Sequence, residues 1–202
     1  ISLDNRLAIH NSMMLKSYAQ EERLQRLIQM VKYWASRRGI NNAFDGTLSS
    51  YAWTLLSIQH AQLVQPPLAP NRQQGAEANP ITFKGTTYDV GYNDEHYATE
   101  NNQSLASLLI SFFERFATRW DWENMVVSVR SGEALSTKAK KWEHTGPLPL
   151  EVVTGADDGW MEHVMPIEDP FNHEHDLSRV VRAEGAMTIQ NEFMRIIELL
   201  SK

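Results

Sequence analysis

The 202-residue sequence contains no cysteine, which excludes disulfides, thiolate metal centres and cysteine nucleophiles. It lacks an apolar run long enough to span a bilayer, and no signal-peptide pattern opens it at Ile1. Basic residues are in the minority, 19 against 25 acidic, for a net charge of −6. That balance argues against a chain that coats nucleic acid by charge alone, while leaving room for a local basic groove. Low-complexity tracts are missing as well. An initiator methionine is absent too, and ISLD at 1–4 reads as the middle of a strand, so the chain is expected to be a piece of a longer protein. The missing signals and cysteines point to a cytoplasmic location. What remains, 42% hydrophobic residues with six tryptophans, suits an ordered globular chain with one sizeable core or two small ones.

The stretch 31–60, VKYWASRRGINNAFDGTLSSYAWTLLSIQH, organises the rest. Leu24, Leu27, Ile28, Val31, Trp34 and Ala35 recur at helical spacing and predict one apolar face on a helix over 21–38. From about Leu48 a second helix is apolar nearly all round, through Tyr51, Ala52, Trp53, Leu55, Leu56 and Ile58, as expected of a helix buried in a domain. Between them Asp45-Gly46-Thr47 forms a turn, with Thr47 as the expected N-cap of the second helix. Ser49 and Ser50 then fall in its first turn, where backbone N–H groups lack helical partners. Such an end suits an anion, especially a phosphate, with Lys32 as the cation from the neighbouring helix. The plainer alternative is that these serines only cap the helix and Lys32 is solvated. Lys32 and Ser36 share a face, and Arg37 and Arg38 sit at a helix C-terminus, where cations are favoured.

Elsewhere, 7–18 carries apolar residues with Asn11 and Ser12 among them, and three prolines end the central helix before a polar loop. Partial alternation over 83–92 predicts a short hairpin. Asn101 or Asn102 is the expected cap of a helix bearing Leu105, Leu108, Leu109, Phe112, Phe113 and Phe116. Residues 125–129 read as a strand. The basic loop 132–141, with Lys138, Lys140 and Lys141 beside Trp142 and with Arg130 just ahead, suits either an RNA backbone or solvent. In 167–182, Asp169, Asn172, His173, Glu174, His175 and Asp176 crowd polar groups behind Asp169-Pro170. An H-x-H pair is weak as a metal motif, and a loop presenting hydrogen bonds to a ligand fits equally well. A last helix places Ile189, Phe193, Ile196, Ile197 and Leu200 on one face.

Seven stretches, LAIHNSMML, VKYWASRRGIN, GTLSSYAW, SLASLLISFFERFA, VVSVRSG, IEDPFNHEHDLSR and EFMRIIELL, follow one another in an order that resembles the template-independent RNA terminal nucleotidyltransferases. This family includes terminal uridylyltransferases and cytoplasmic poly(A) polymerases. The resemblance implies a mainly α fold with a small β component. Residues 6–202 correspond to the helical central (PAP-associated) domain of a DNA polymerase β-like nucleotidyltransferase. Residues 1–5 correspond to the last strand of its catalytic lobe, whose remainder, with the metal-binding aspartates, lies outside this sequence. No acidic residue here matches a catalytic aspartate, so no catalytic or metal-ligating residue is expected in this chain; Mg²⁺ or Mn²⁺ would sit on the other lobe.

The resemblance also implies a nucleotide site. Asn11 and Ser12 match a pair at the ribose, Lys32 a lysine on the triphosphate, Ser50 a hydroxyl on the phosphates, and Tyr51 the aromatic that stacks on the base. Ser36 stands where relatives often carry a second lysine, and Arg37 or Arg38 could replace that charge only by turning inward. IEDPFNHEH resembles the nucleotide recognition motif, with Asp169 near the base edge and His175 in the place of a histidine characteristic of uridylyltransferases. An imidazole N–H can donate to uracil O4 and would oppose the amino group of adenine or cytosine. Asn172 replaces a frequent carboxylate. The expected partners are an NTP, with UTP favoured, an RNA 3′ end and the catalytic lobe of the same protein; no membrane is among them. The function implied is addition of UMP to RNA 3′ ends by two-metal transfer. The alternatives are a nucleotide- or RNA-binding module without activity, or a member of the family using ATP or CTP.

Overall fold

A buried helix sets the architecture. α3 (Ser50–Leu63) is buried on every side from Ala52 to Gln62, as its apolar sequence requires. The computed structural model describes residues 6–142 and 163–202; the strand expected at 1–5 lies outside them. Around α3 are packed α1 (Arg6–Tyr18), α2 (Glu22–Arg37), α4 (Leu105–Glu114) and the long α6 (Ala183–Leu200), with a short α5 (Thr137–Lys140). A π-turn, Arg115–Arg119, extends α4. Two small antiparallel ribbons complete the described residues: β1 (Pro80–Phe83) with β2 (Thr86–Asp89), and β3 (Met125–Val126) with β4 (Leu135–Ser136). The chain is mainly helical with a small β component, as the sequence implies.

α2 buries Leu24, Leu27, Val31 and Ala35, the face its periodicity predicts. At the helix junction an aromatic cluster forms. Trp34 meets Trp53 edge-on at 5.6 Å and Phe113 at 4.8 Å, and Phe193 of α6 packs against both tryptophans at 5.5 and 5.8 Å. Four elements therefore share one contact, and the Trp53 indole N–H donates to the Ile40 carbonyl at 3.0 Å, so its polar atom is satisfied where it is buried.

The local caps differ from the sequence reading. Ser49, not Thr47, caps α3, accepting from the Ala52 N–H at 3.2 Å. The Thr47 hydroxyl is used one turn earlier, donating to the Asn42 carbonyl and accepting from the Asn42 N–H, both at 2.9 Å. Ser104 rather than Asn101 or Asn102 caps α4; Asn101 is buried and donates to the Pro66 carbonyl at 2.7 Å. The hairpin lies N-terminal to the expected one: pairing ends at Pro80 opposite Asp89, whose carboxylate accepts from the Asn79 and Gly91 N–H groups at 2.9 Å, and Val90 beyond it is 1% exposed in the core. Only Met125–Val126 of the expected 125–129 strand pairs with β4, while Val127 bridges Ile167. The loop expected at 132–141 contains β4 and α5. On α6, Ile189 and Phe193 are buried, whereas Leu200 is half exposed.

α6 closes onto the turn before α3. Gly46 adopts φ +76°, and its carbonyl accepts from the Arg182 N–H at 3.0 Å. A Cβ on Gly185 would stand 1.9 Å from that carbonyl, so only glycine allows α6 this close. Arg38 clamps the far side, donating to both Glu192 carboxylate oxygens at 2.7 and 2.8 Å.

One buried histidine makes stability depend on pH. The Arg115 Nε–H donates to His60 Nδ1 at 3.0 Å, so that nitrogen must carry a lone pair. Nε2, 3.1 Å from the Ser111 hydroxyl, is then the donor. Burial first, and the Arg115 charge second, push the imidazole from 6.5 down to about 3. Unfolded, His60 binds a proton near pH 6.5; folded, it does not until about pH 3. Stability is therefore present in full above pH 6.5 and falls as pH drops through that window, by up to about 1.4 kcal/mol per unit. The urea midpoint should fall between pH 7 and pH 5, and His60→Gln should flatten that slope. An unaltered slope in the variant would assign the acid sensitivity to other groups.

Candidate nucleotide-binding site

α1 supplies one wall of a cleft. Ala8, Asn11, Ser12 and Leu15 recur at the spacing of a single helix face and all line it, while Met14, Ser17 and Tyr18 turn inward and anchor the helix. The opposite wall is Asp169, His175 and Leu177, and Tyr51, at the first turn of α3, completes it. The open space is about 400 Å³, within the roughly 300–1,000 Å³ of small-molecule sites. A second cleft of about 500 Å³, along His10, Met13, Glu77 and Tyr92, contains none of the nucleotide-site or RNA-contact candidates named from the sequence.

The wall at 167–177 is a tight, internally bonded loop. The Asp169 N–H donates to the His175 carbonyl at 3.1 Å, and the His175 N–H to the Asn172 carbonyl at 2.8 Å. One Asp169 carboxylate oxygen accepts from the N–H groups of Phe171 and Asn172 at 3.0 and 2.9 Å, which fixes the Asp-Pro turn. The other faces the Asn11 amide across the cleft at 3.4 Å, a long contact that a ligand group could displace. Asp176 holds the base of the loop, accepting from the Ile167 and Ser178 N–H groups at 3.0 and 2.8 Å and pairing with His163 at 2.7 Å.

Two polar atoms in the cleft are buried without partners: the Tyr51 hydroxyl and the Asn11 side-chain oxygen. Such groups are costly unless something satisfies them, and a bound ligand is one way. Burial, and then the neighbouring Asp169 charge, raise the Tyr51 phenol far above its ordinary value, so it stays a neutral O–H. Burial first, then Arg179, lower the His175 imidazole, against the pull of Asp169 and Asp176. It is neutral at pH 7 and offers one N–H and one lone pair.

The remaining expected residues border this cleft or lie outside it. The Ser50 hydroxyl donates to Asn41 at 3.0 Å, a contact the sequence did not signal. Asn172 serves the loop through its backbone. Lys32, half-buried on α2, has no ion-pair partner among the described residues, and Ser36 on the same face is exposed. The Arg38 guanidinium does not turn inward toward Lys32 and Ser36 but is held by Glu192 at 2.7 Å. In the basic segment Arg130, Lys138 and Lys141 are exposed. Lys140 is not: its ammonium meets Glu168 at 2.9 Å with both side chains largely buried. His173 and His175 gather no metal set, as no group of three His, Asp or Glu ligands exists among the described residues. No helix among them is long and apolar enough to cross a membrane. Sequence reasoning missed Leu177 and Leu15 as cleft walls, though the α1 periodicity signals Leu15.

Known proteins resemble this chain in sequence and in fold. Residues 104–175 match the family described as Cid1 family poly A polymerase. The terminal uridylyltransferase cid1 of Schizosaccharomyces pombe is 34% identical over 211 residues, covering 100% of this chain and 50% of that protein. The poly(A) RNA polymerase GLD2 of Homo sapiens is 27% identical, over 96% of this chain and 37% of its own length. A solved structure of Cid1 in complex with the UTP analog UMPNPP superposes with a TM-score of 0.82 at 32% identity, covering 98% of this chain and 58% of that one. The chain thus spans half, or about a third, of the curated relatives it matches. Seven motifs in order, a shared fold and a matching family segment lead to one conclusion: the chain belongs to the RNA terminal nucleotidyltransferase family.

Proposed function

We propose that this chain is the nucleotide-selecting half of an RNA terminal nucleotidyltransferase that adds UMP from UTP to RNA 3′ ends. The observation that carries the reading is the convergence of Asn11, Ser12, Tyr51, Asp169 and His175 on one cleft with unsatisfied buried polar atoms. Tyr51 offers the stacking face for the base, and Asn11 and Ser12 offer hydrogen bonds to the ribose. Neutral His175 donates to uracil O4. Ser50 and the start of α3, with Lys32, meet the triphosphate. RNA follows the exposed Arg130, Lys138 and Lys141.

The described residues do not fit a metal centre, so no step through Mg²⁺ or Mn²⁺ is assigned to them; that ion belongs with the aspartates of the lobe this sequence does not contain. Their contribution is orientation and choice of nucleotide.

The test is extension of a labelled oligo-A RNA by the full-length protein with each of the four NTPs. UTP should be favoured, and His175→Ala should lower the UTP-over-ATP ratio by about tenfold, the worth of one hydrogen bond. Preferred use of ATP or CTP by the wild type would refute the role of His175 and retain the family. A protein that binds nucleotide and extends nothing would be a binding module.

A further inference from the structure

Lys140 and Glu168 form a charged pair that the nucleotide cleft does not use directly. Their side chains are 16% and 4% exposed, and the ammonium meets one carboxylate oxygen at 2.9 Å. The other carboxylate oxygen accepts from the Ser128 hydroxyl. The same ammonium donates to the His173 carbonyl at 2.5 Å and lies 4.6 Å from the centre of the Trp142 ring. Two of these contacts, to Glu168 and to the His173 carbonyl, end on the loop that bears Asp169 and His175.

The position of those two contacts matters. Glu168 immediately precedes Asp169, and its N–H donates to the Val127 carbonyl at 2.9 Å. His173 lies between Asn172 and His175, at the tip of the same loop. Lys140 therefore joins the start of the loop to its tip, and joins both to α5 and the exposed lysines on either side of it. A charge buried this deeply is costly unless paired and hydrogen-bonded, and here both partners are.

We propose that Lys140 is a positioning residue for base selection, fixing the 168–175 loop so that Asp169 and His175 face Tyr51, and thereby tying the basic segment to the nucleotide cleft. This rests on the nucleotide reading of the cleft. It also separates Lys140 from Lys138 and Lys141: three neighbouring lysines, of which two face solvent and one works inside the protein.

The test uses the full-length protein and two readouts, the UTP-over-ATP ratio of kcat/KM and the salt dependence of RNA binding without nucleotide. Lys140→Met should lower the ratio by about tenfold through misplacement of the loop, while the RNA Kd and its salt slope stay at wild-type values. A phosphate contact would do the reverse, weakening RNA binding and reducing the salt slope by about one with nucleotide choice unchanged; that result would overturn the proposal. Lys140→Met leaves the Glu168 carboxylate unpaired and could fail to fold. The double variant Lys140→Met/Glu168→Gln removes both charges, and it too should lose selectivity because the tie to the His173 carbonyl is gone. A folded double variant with wild-type selectivity overturns the positioning role alone. A wild-type protein that binds no nucleotide, or does not discriminate among them, overturns the cleft reading and this inference with it.

Discussion

Trp53→Ala should lower the unfolding free energy by about 3–5 kcal/mol, the usual range for removing a buried tryptophan. The site has no simple way to collapse. The indole is fully buried, and it contacts Trp34 of α2 and Phe193 of α6 while α3 holds it in the centre of the domain. Its N–H bond to the Ile40 carbonyl at 3.0 Å is also lost, leaving that carbonyl to find water or remain unpaired. Against a total stability of about 5–15 kcal/mol the loss is a large fraction. Urea unfolding followed by fluorescence of the remaining tryptophans would measure it. A loss under about 1 kcal/mol would mean that the aromatic cluster repacks freely, contrary to the close packing of such interiors.

The consequence would extend to the cleft. Trp53 lies two residues after Tyr51, and Ile40, its hydrogen-bond partner, adjoins Asn41, which holds the Ser50 hydroxyl. Core and cleft wall are thus built on the same few residues of one helix start. The close approach of Gly185 to the Gly46 carbonyl secures that helix start from the other side. If Tyr51 stacks on a base as proposed, its ring must be held in place, and these contacts hold the helix start that carries it.

The parts of this arrangement that could be read from the sequence are those that periodicity encodes. α2, α3, α4 and α6 each carry a repeating apolar face or an apolar surround, and that pattern is local. The caps were harder to read, because 47–50 offers three hydroxyls and the neighbours decide among them: Asn42 engages Thr47, which leaves Ser49 for the helix. The hairpin is displaced for a similar reason, since alternation continues past Asp89, whose carboxylate accepts from the Asn79 and Gly91 N–H groups and ends the pairing there. Pairings between distant charges leave no local trace. Nothing near Lys140 points to Glu168, and nothing near Arg38 points to Glu192, so both cations looked like surface residues. The cleft was legible only as a set of residues matched to a family; that Asn11, Ser12, Tyr51, Asp169 and His175 share one space is a property of the fold.

Tyr51 allows the ring and the hydroxyl to be tested apart. In the full-length protein Tyr51→Ala should weaken nucleotide binding by about ten- to a hundredfold, because stacking of a base on an aromatic ring is worth about 1–3 kcal/mol. Tyr51→Phe keeps the ring and removes a buried hydroxyl that has no partner in the folded chain. Deleting an unsatisfied polar group relieves its desolvation cost, so the phenylalanine variant should be at least as stable as the wild type in thermal unfolding without ligand. With nucleotide the two variants should separate. If Tyr51 acts by stacking alone, the phenylalanine variant binds like wild type and gains the same rise in Tm on adding UTP, while alanine gains little. If the hydroxyl also donates to the ligand, phenylalanine binds several-fold more weakly despite its greater intrinsic stability. Equal binding by all three would remove Tyr51 from the site and with it the stacking role on which the orientation of the base depends.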